Sequence, residues 1–281
     1  MSRAWPPNQK PGLGCEVDWS HPLRQGMAGW WLFNEGSGPI AYDISGNGNH
    51  GTLTGMDPAT CWQPGPDGAA LGFDGSDDHV RIGSWGGYSR FSIVASVRLD
   101  RAIGSIEQII AADDSNTPGP IERCFQFRRD ASGTLSFIVF VGGVVKIITS
   151  AATLTSGQWW NIAATTDGNN GAIYIWGASA KTGATGLVDS LFPHCVIGAR
   201  DIRGDYSQIG DPLRGQIANL ALYFRALSAD EVAWLAAEPY AGVRGPGPRY
   251  WWLGAGVLRP PGARRSRIAR YGPKLLPTGV I

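Results

Sequence analysis

The 281-residue chain has no stretch of about 18 consecutive apolar residues, which excludes a long apolar helix that crosses a bilayer. Its opening, MSRAWPPNQKPGLG, lacks the apolar run of a signal peptide. The expectation is synthesis in the cytosol, or export by a route that the sequence does not display. Cysteine is scarce, with Cys15, Cys61, Cys124 and Cys195 far apart. That spacing excludes a zinc knuckle or a C-x-x-C redox pair and leaves free or merely buried thiols. The histidines, His21, His50, His79 and His194, are scattered, and G-x-S-x-G is absent, so nothing marks a nucleophile elbow. His194 and Cys195 are neighbours on an expected strand, where adjacent side chains point to opposite faces. Acid is missing altogether from Ala241 to Ile281, a segment with eight lysines and arginines. Of 24 basic and 23 acidic residues in the chain, the rest therefore holds 16 and 23, a balance of −7. A net charge of +1 thus conceals two parts of opposite sign, which face different partners or each other.

Glycine, proline and tryptophan are abundant instead, at 40, 19 and 12 residues, beside 43% hydrophobic and 17% charged residues. This mix suits short strands joined by tight turns. Apolar and β-branched runs recur at 30–33, 70–73, 79–82, 91–99, 108–112, 124–127, 135–141, 144–150, 159–165, 172–176, 195–198 and 217–223. Such a series with no helical pattern between its members predicts a sandwich or barrel. In FSIVASVRL, Phe91, Ile93, Ala95, Val97 and Leu99 share one face, and Ser92, Ser96 and Arg98 the other. That strand is expected to bury one face and wet the other. Residues 130–133, 142–143 and 167–171 have the composition of hairpin turns, so their flanking strands should pair antiparallel. One helix is expected in LSADEVAWLAAE: Ser228 caps it, Glu231 completes a capping box, and Val232, Leu235 and Ala236 form a stripe that ends at Pro239. The chain then reads as an extended arm at 1–26, a sandwich at 27–240, and a basic Pro/Gly/Arg-rich arm at 241–281 whose apolar clusters are all interrupted.

Within the sandwich, AGWWLFNEGSGPIAYDISGNGNHGTLTG (28–55) joins a Trp-rich strand, an N-E-G-S-G turn and a D-x-S-G-N-G-N-x-G loop. AALGFDGSDDHVRI (69–82), FSIVASVRL (91–99), SGQWWNIAATTDG (156–168), AIYIWG (172–177) and GQIANLALYFRALSADEV (215–232) follow in order. Together they resemble the laminin-G-like kind of concanavalin A-like lectin/glucanase domain. The resemblance implies an all-β, antiparallel jelly-roll sandwich whose short C-terminal helix caps one open end. Sugar-cleaving relatives carry an E-x-D-x-x-E array, because acid and nucleophile must straddle one glycosidic bond. No such array occurs here; Glu35 lies in a Gly-rich turn and Glu107 stands beside Gln108, so the expectation is a protein that is not an enzyme.

Calcium is the one cofactor candidate. Its ligands would be Asp43, Asn47 and Asn49 of the first loop with Asp74, Asp77 and Asp78 of the second, since hard oxygen donors converge on loops of this family. Ala218 and Asn219 occupy the positions of the family's usual acidic pair, which argues for Asx turns that satisfy their own backbone instead. A sugar-stacking platform is expected at Trp85 and Tyr88 in the loop GSWGGYSR, with Asn47 and Asn49 as the fallback, while Trp30, Trp31, Trp159 and Trp160 fill the core and its rims. In the C-terminal arm, Arg264, Arg265, Arg267 and Arg270 with Tyr250, Trp251 and Trp252 offer charge and stacking groups to a nucleic acid. The apolar residues spread along the arm favour instead docking on a neighbouring subunit, with Arg249, Tyr250, Trp251, Trp252, Arg264, Arg265 and Arg267 as the intersubunit residues. The expected role is a structural protein of a virus particle, most simply a bacteriophage capsid decoration, fibre or tail-associated subunit with a lectin-like outward domain. Its partners would be copies of itself, other particle proteins and surface glycans. It would reside in the virion after synthesis in the host cytoplasm. The alternative is a carbohydrate-binding adhesin module of a bacterial cell surface.

Overall fold

Each run expected to be extended contributes to a strand of the computed structural model, which describes residues 9–85, 88–113, 123–186, 192–203 and 205–244. In chain order the strands are β1 (Glu16–Val17), β2 (Met27–Trp31), β3 (Ile40–Ala41), β4 (Gly51–Thr54), β5 (Trp62–Pro64), β6 (Ala69–Asp74) and β7 (His79–Trp85). Then come β8 (Phe91–Leu99), β9 (Glu107–Asp113), β10 (Arg123–Arg129), β11 (Thr134–Val141), β12 (Val144–Thr153), β13 (Trp159–Thr166) and β14 (Asn170–Ile175). The last are β15 (Ala178–Ala184), β16 (Phe192–Ile197), β17 (Arg200–Asp201), β18 (Ile209–Gly210), β19 (Arg214–Tyr223) and, after helix α1 (Ala229–Ala237), β20 (Val243–Arg244).

Two antiparallel sheets form the sandwich. The first runs β12-β11-β10-β9-β16-β7-β4-β3, and the second β15-β14-β13-β8-β19-β6-β5 with β2 also on β19. The β11–β12 hairpin turns on Gly142 and Gly143 at φ 55° and 77°, the pair of positive angles that a two-residue turn of primed type requires. Between the sheets Phe91, Ile93, Ala95, Val97 and Leu99 meet Phe125, Phe127, Phe137 and Val139, and the Phe91 and Phe125 rings lie 4.9 Å apart. Arg129 and Glu107, both fully buried, form an ion pair at the rim of this core. None of the four cysteines forms a disulfide, and the Cys195 thiol is fully buried.

The outer face of the second sheet departs from expectation. Ser92 and Val94, on the face expected to be wet, are 0% and 9% exposed. The reason lies in the segment read as an arm at 1–26, which from Gln9 onward lies along the sandwich. A 3₁₀ turn at Pro22–Arg24 buries Leu23, and β1 pairs with β20. Helix α1 and residues 239–243 cover the same face rather than an open end, so Val17, Leu23, Trp30, Val94, Tyr223, Val232, Leu235 and Tyr240 make a second apolar cluster. The capping box of α1 is present, with Ser228 and Glu231 in the expected roles. Two compact units divide the chain after Gly245, and every described residue belongs to the first. The arm residues Arg249, Tyr250, Trp251, Trp252, Arg264, Arg265 and Arg267 lie outside the described residues.

Candidate functional site

Polar side chains at alternate positions of β10 project from the outer face of the first sheet, because Phe125 and Phe127 between them turn into the core. The register places Arg128 between Gln108 of β9 and Ser136 of β11, and Ser136 beside Thr149 of β12. Their polar atoms join in one ladder. Asp113 accepts from Gln126 Nε2, Gln126 Oε1 accepts from Arg128 Nη1 at 3.0 Å, and Arg128 Nε donates to Asp130 at 2.8 Å. The other Asp130 oxygen accepts from Ser136 Oγ, which lies 2.9 Å from Thr149 Oγ1.

A short hairpin formed by β17 and β18 flanks the ladder. Asp201 pins it by accepting from the Arg203 and Tyr206 amides at 3.1 and 2.9 Å. Arg200 then reaches Asp211 at 2.8 Å and Asp113 at 3.8 Å. Beside the polar row, the next rows of the same face carry Ile138 with Ile147 and Phe140 with Val145, and Ile147 is 57% exposed. Beneath Asp211, Gln108 is fully buried and its Oε1 has no hydrogen-bond partner. Asp113, Gln126, Ser136, Ile138 and Phe140 are themselves buried, so the part of the face open to a ligand is Arg128, Asp130 and Thr149 beside Ile147 and Val145, a small set of fixed donors and acceptors next to apolar surface that suits a neutral, hydroxyl-bearing ligand.

The residues singled out in the sequence fall elsewhere. Asp43 is buried and accepts from the Trp30, Ser45 and Asn49 amides at 2.8–2.9 Å, while Asn47 and Asn49 donate to the Ala28 carbonyl at 3.0 and 2.8 Å. Asp43 thus uses both of its oxygens within the protein, while Asn47 and Asn49 tie the loop to β2 through their side-chain nitrogens. Asp74, Asp77 and Asp78 are brought together, with one oxygen of each within 4.8 Å of the others. Asp74 and Asp78 line a cleft of about 290 Å³ with Gly55, Asp57, Thr60 and Gln63. Burial raises the Asp78 carboxyl above its ordinary value, and Asp74 and Asp77 add to the rise. Three clustered carboxylates fit a hard cation. Tyr88, 40% exposed, stacks on Phe224 with centroids 3.5 Å apart at 10°. Of Trp85 only the backbone, at the end of β7, belongs to the described atoms. Glu35 and Glu107 are both raised by burial; Lys10 is near the first, and Arg129 and Arg101 are near the second. Sequence reasoning missed the ladder, although R-C-F-Q-F-R-R-D carries its signal: Gln126, Arg128 and Asp130 at every second position, alternating with the apolar Phe125 and Phe127.

No curated protein matches the chain in sequence. In structure it is similar to the binding domain of paraclostridial mosquitocidal protein 1, with a TM-score of 0.57 and 16% identity over 76% of this chain and 52% of that one. It is similar also to domain 4 of AbnA, an extracellular arabinanase from Geobacillus stearothermophilus solved with arabinotriose, with a TM-score of 0.55 and 18% identity over 75% of this chain and 98% of that domain. A Trypanosoma rangeli sialidase in complex with sialic acid shares the fold with a TM-score of 0.54 and 14% identity over 76% of this chain, which spans only 33% of the sialidase. No helix among the described residues is long and apolar enough to cross a membrane. Residues 74–233, more than half of the sequence, match one family, and the chain belongs to the concanavalin A-like lectin/glucanases superfamily.

Proposed function

We propose that the protein is a non-catalytic carbohydrate-binding module that takes a neutral oligosaccharide on the outer face of the first sheet. The observation that carries this reading is the ladder from Asp113 to Thr149, five side-chain links long, whose exposed end lies beside Ile147 and Val145. Sugar hydroxyls would exchange hydrogen bonds with Arg128, Asp130 and Thr149, and the apolar face of the ring would cover Ile147 and Val145. The non-catalytic part of the reading is supported by the sequence, which has no E-x-D-x-x-E array. Glu35 and Glu107, both raised by burial, sit near basic groups. Arabino-oligosaccharides head the panel to test, since the AbnA domain was solved with arabinotriose. The wild-type chain is expected to bind a member of a glycan panel without releasing reducing sugar, and Arg128→Ala to weaken that binding by about tenfold or more. Sugar release, or binding indifferent to Arg128→Ala, would contradict the reading.

A wider role as a subunit of a virus particle, with the sandwich facing outward, is favoured by one observation. The stretch from Ala241 has eight basic residues and no acid, against a balance of −7 in the rest, a charge asymmetry that would draw copies together. An adhesin module of a cell surface would use the same glycan face without the assembly. Asp74, Asp77 and Asp78 would hold calcium in either setting.

A further inference from the structure

The second sheet contains a break filled by a cation from the N-terminal strap. Strand β19 changes partner part-way along: Arg214–Ile217 pair with β6 and Leu220–Tyr223 with β2, which leaves Ala218 between the two ladders. A buried carbonyl at such a break has no strand to bond and needs another donor. Lys10 supplies it. Its ammonium donates to Ala218 O at 2.6 Å and to Ala69 O at the start of β6. The side chain is 7% exposed, and its stem passes Gly68 so closely that a Cβ there would lie 3.1 Å from Lys10 Cβ.

Two carboxylates, Glu35 and Asp67, act on this ammonium through their charge. Asp67 accepts the Lys10 amide on its main-chain oxygen at 3.0 Å and the Tyr240 hydroxyl on its carboxylate at 3.2 Å. Glu35 has one carboxylate oxygen, Oε2, buried without a hydrogen-bond partner. Both carboxylates favour the charged amine, opposing the burial that draws Lys10 down to about 7. Two carbonyl acceptors in a field of two carboxylate charges suit a singly charged group with several N–H donors, not an anion. We infer that the gap between β2 and β6 is a cation site for a primary ammonium, and that Lys10 fills it to latch residues 9–26 onto the outer face of the second sheet.

The latch has a consequence for the surface. Val17 and Leu23 of the strap cover a cluster that includes Trp30, Val94 and Tyr223, so its release exposes apolar area on the side opposite the glycan face. The test is hydrogen exchange, read by mass spectrometry on the full chain. In Lys10→Ala, amides of residues 12–25 should exchange about tenfold or more faster while β8 keeps its protection, because a charge-assisted hydrogen bond is lost. Methylammonium chloride should restore the protection, and tetramethylammonium chloride, which has no N–H, should not. Lys10→Met keeps the stem volume and serves if the alanine variant fails to fold; it should loosen the strap, and methylammonium should not restore it. Unchanged strap exchange in Lys10→Met, or equal rescue of Lys10→Ala by both salts, would overturn the inference.

Discussion

Arg129 and Glu107 decide what happens when one half of a buried ion pair is removed. Neither side chain reaches solvent, and Glu107 also accepts the Arg214 amide at 3.0 Å. Arg129→Ala leaves a carboxylate in the interior, so denaturant unfolding is expected to show a loss of about 3–5 kcal/mol. A loss within about 0.5 kcal/mol, the range of an ordinary surface change, would show that water reaches the site. At the surface, Asp18 behaves differently. Its carboxylate is held below its ordinary value chiefly by the Arg244 guanidinium at 2.6 Å, joining the strap to β20. A carboxyl lowered by folding stabilises above its unfolded value and loses that support as the pH falls. Exchange protection of the Val17 and Val243 amides should therefore hold at pH 5 and decline below about pH 4. Protection that is flat down to pH 2 would remove Asp18 from the account. The residue scale also explains why the loop 43–49 was illegible. Asp and Asn among glycines serve an ion or their own backbone equally well, and the direction of the Trp30, Ser45 and Asn49 amides, which donate to Asp43, is not written in the sequence.

Among the elements, legibility follows periodicity. β8 and β10 are readable because they alternate, β11 because it is an apolar run between turn residues, and α1 because Ser228 and Glu231 mark its start. Ser228→Ala should lower stability by about 1 kcal/mol, seen in the denaturation midpoint; no change would mean that packing on β13 alone holds the helix. β15, ASAKTGA, has no apolar run, and as a sheet edge with mostly exposed side chains it needs none. The strap was illegible for a related reason. Val17 and Leu23 are its buried anchors, six residues apart with no period, and what they cover is the outer face of a strand whose pattern alone reads as wet. The loop between β6 and β7 carries the three clustered aspartates. With so few ligands, calcium affinity should be in the roughly millimolar class, so added calcium at several millimolar should raise the melting temperature slightly and Asp78→Asn should abolish the rise. A rise that survives Asp78→Asn would place the ion elsewhere.

At the scale of the whole molecule, the two outer faces differ: the second sheet is covered by strap and helix, while the first leaves the Arg128, Asp130 and Thr149 end of its ladder open. Removal of residues 245–281 leaves every described strand intact, so the shortened chain should keep its circular dichroism and lose self-association in light scattering. An unfolded product would make the tail part of the core. The central claim is that glycan is bound along the ladder, and chemical-shift mapping of the labelled protein titrated with its best panel oligosaccharide tests it most directly. The account predicts shifts concentrated at Asp113, residues 126–130, Ser136 and residues 147–149. Shifts centred on Tyr88, on the loop 43–49 or on the cleft at Asp74 and Asp78, with the ladder amides unmoved, would contradict it.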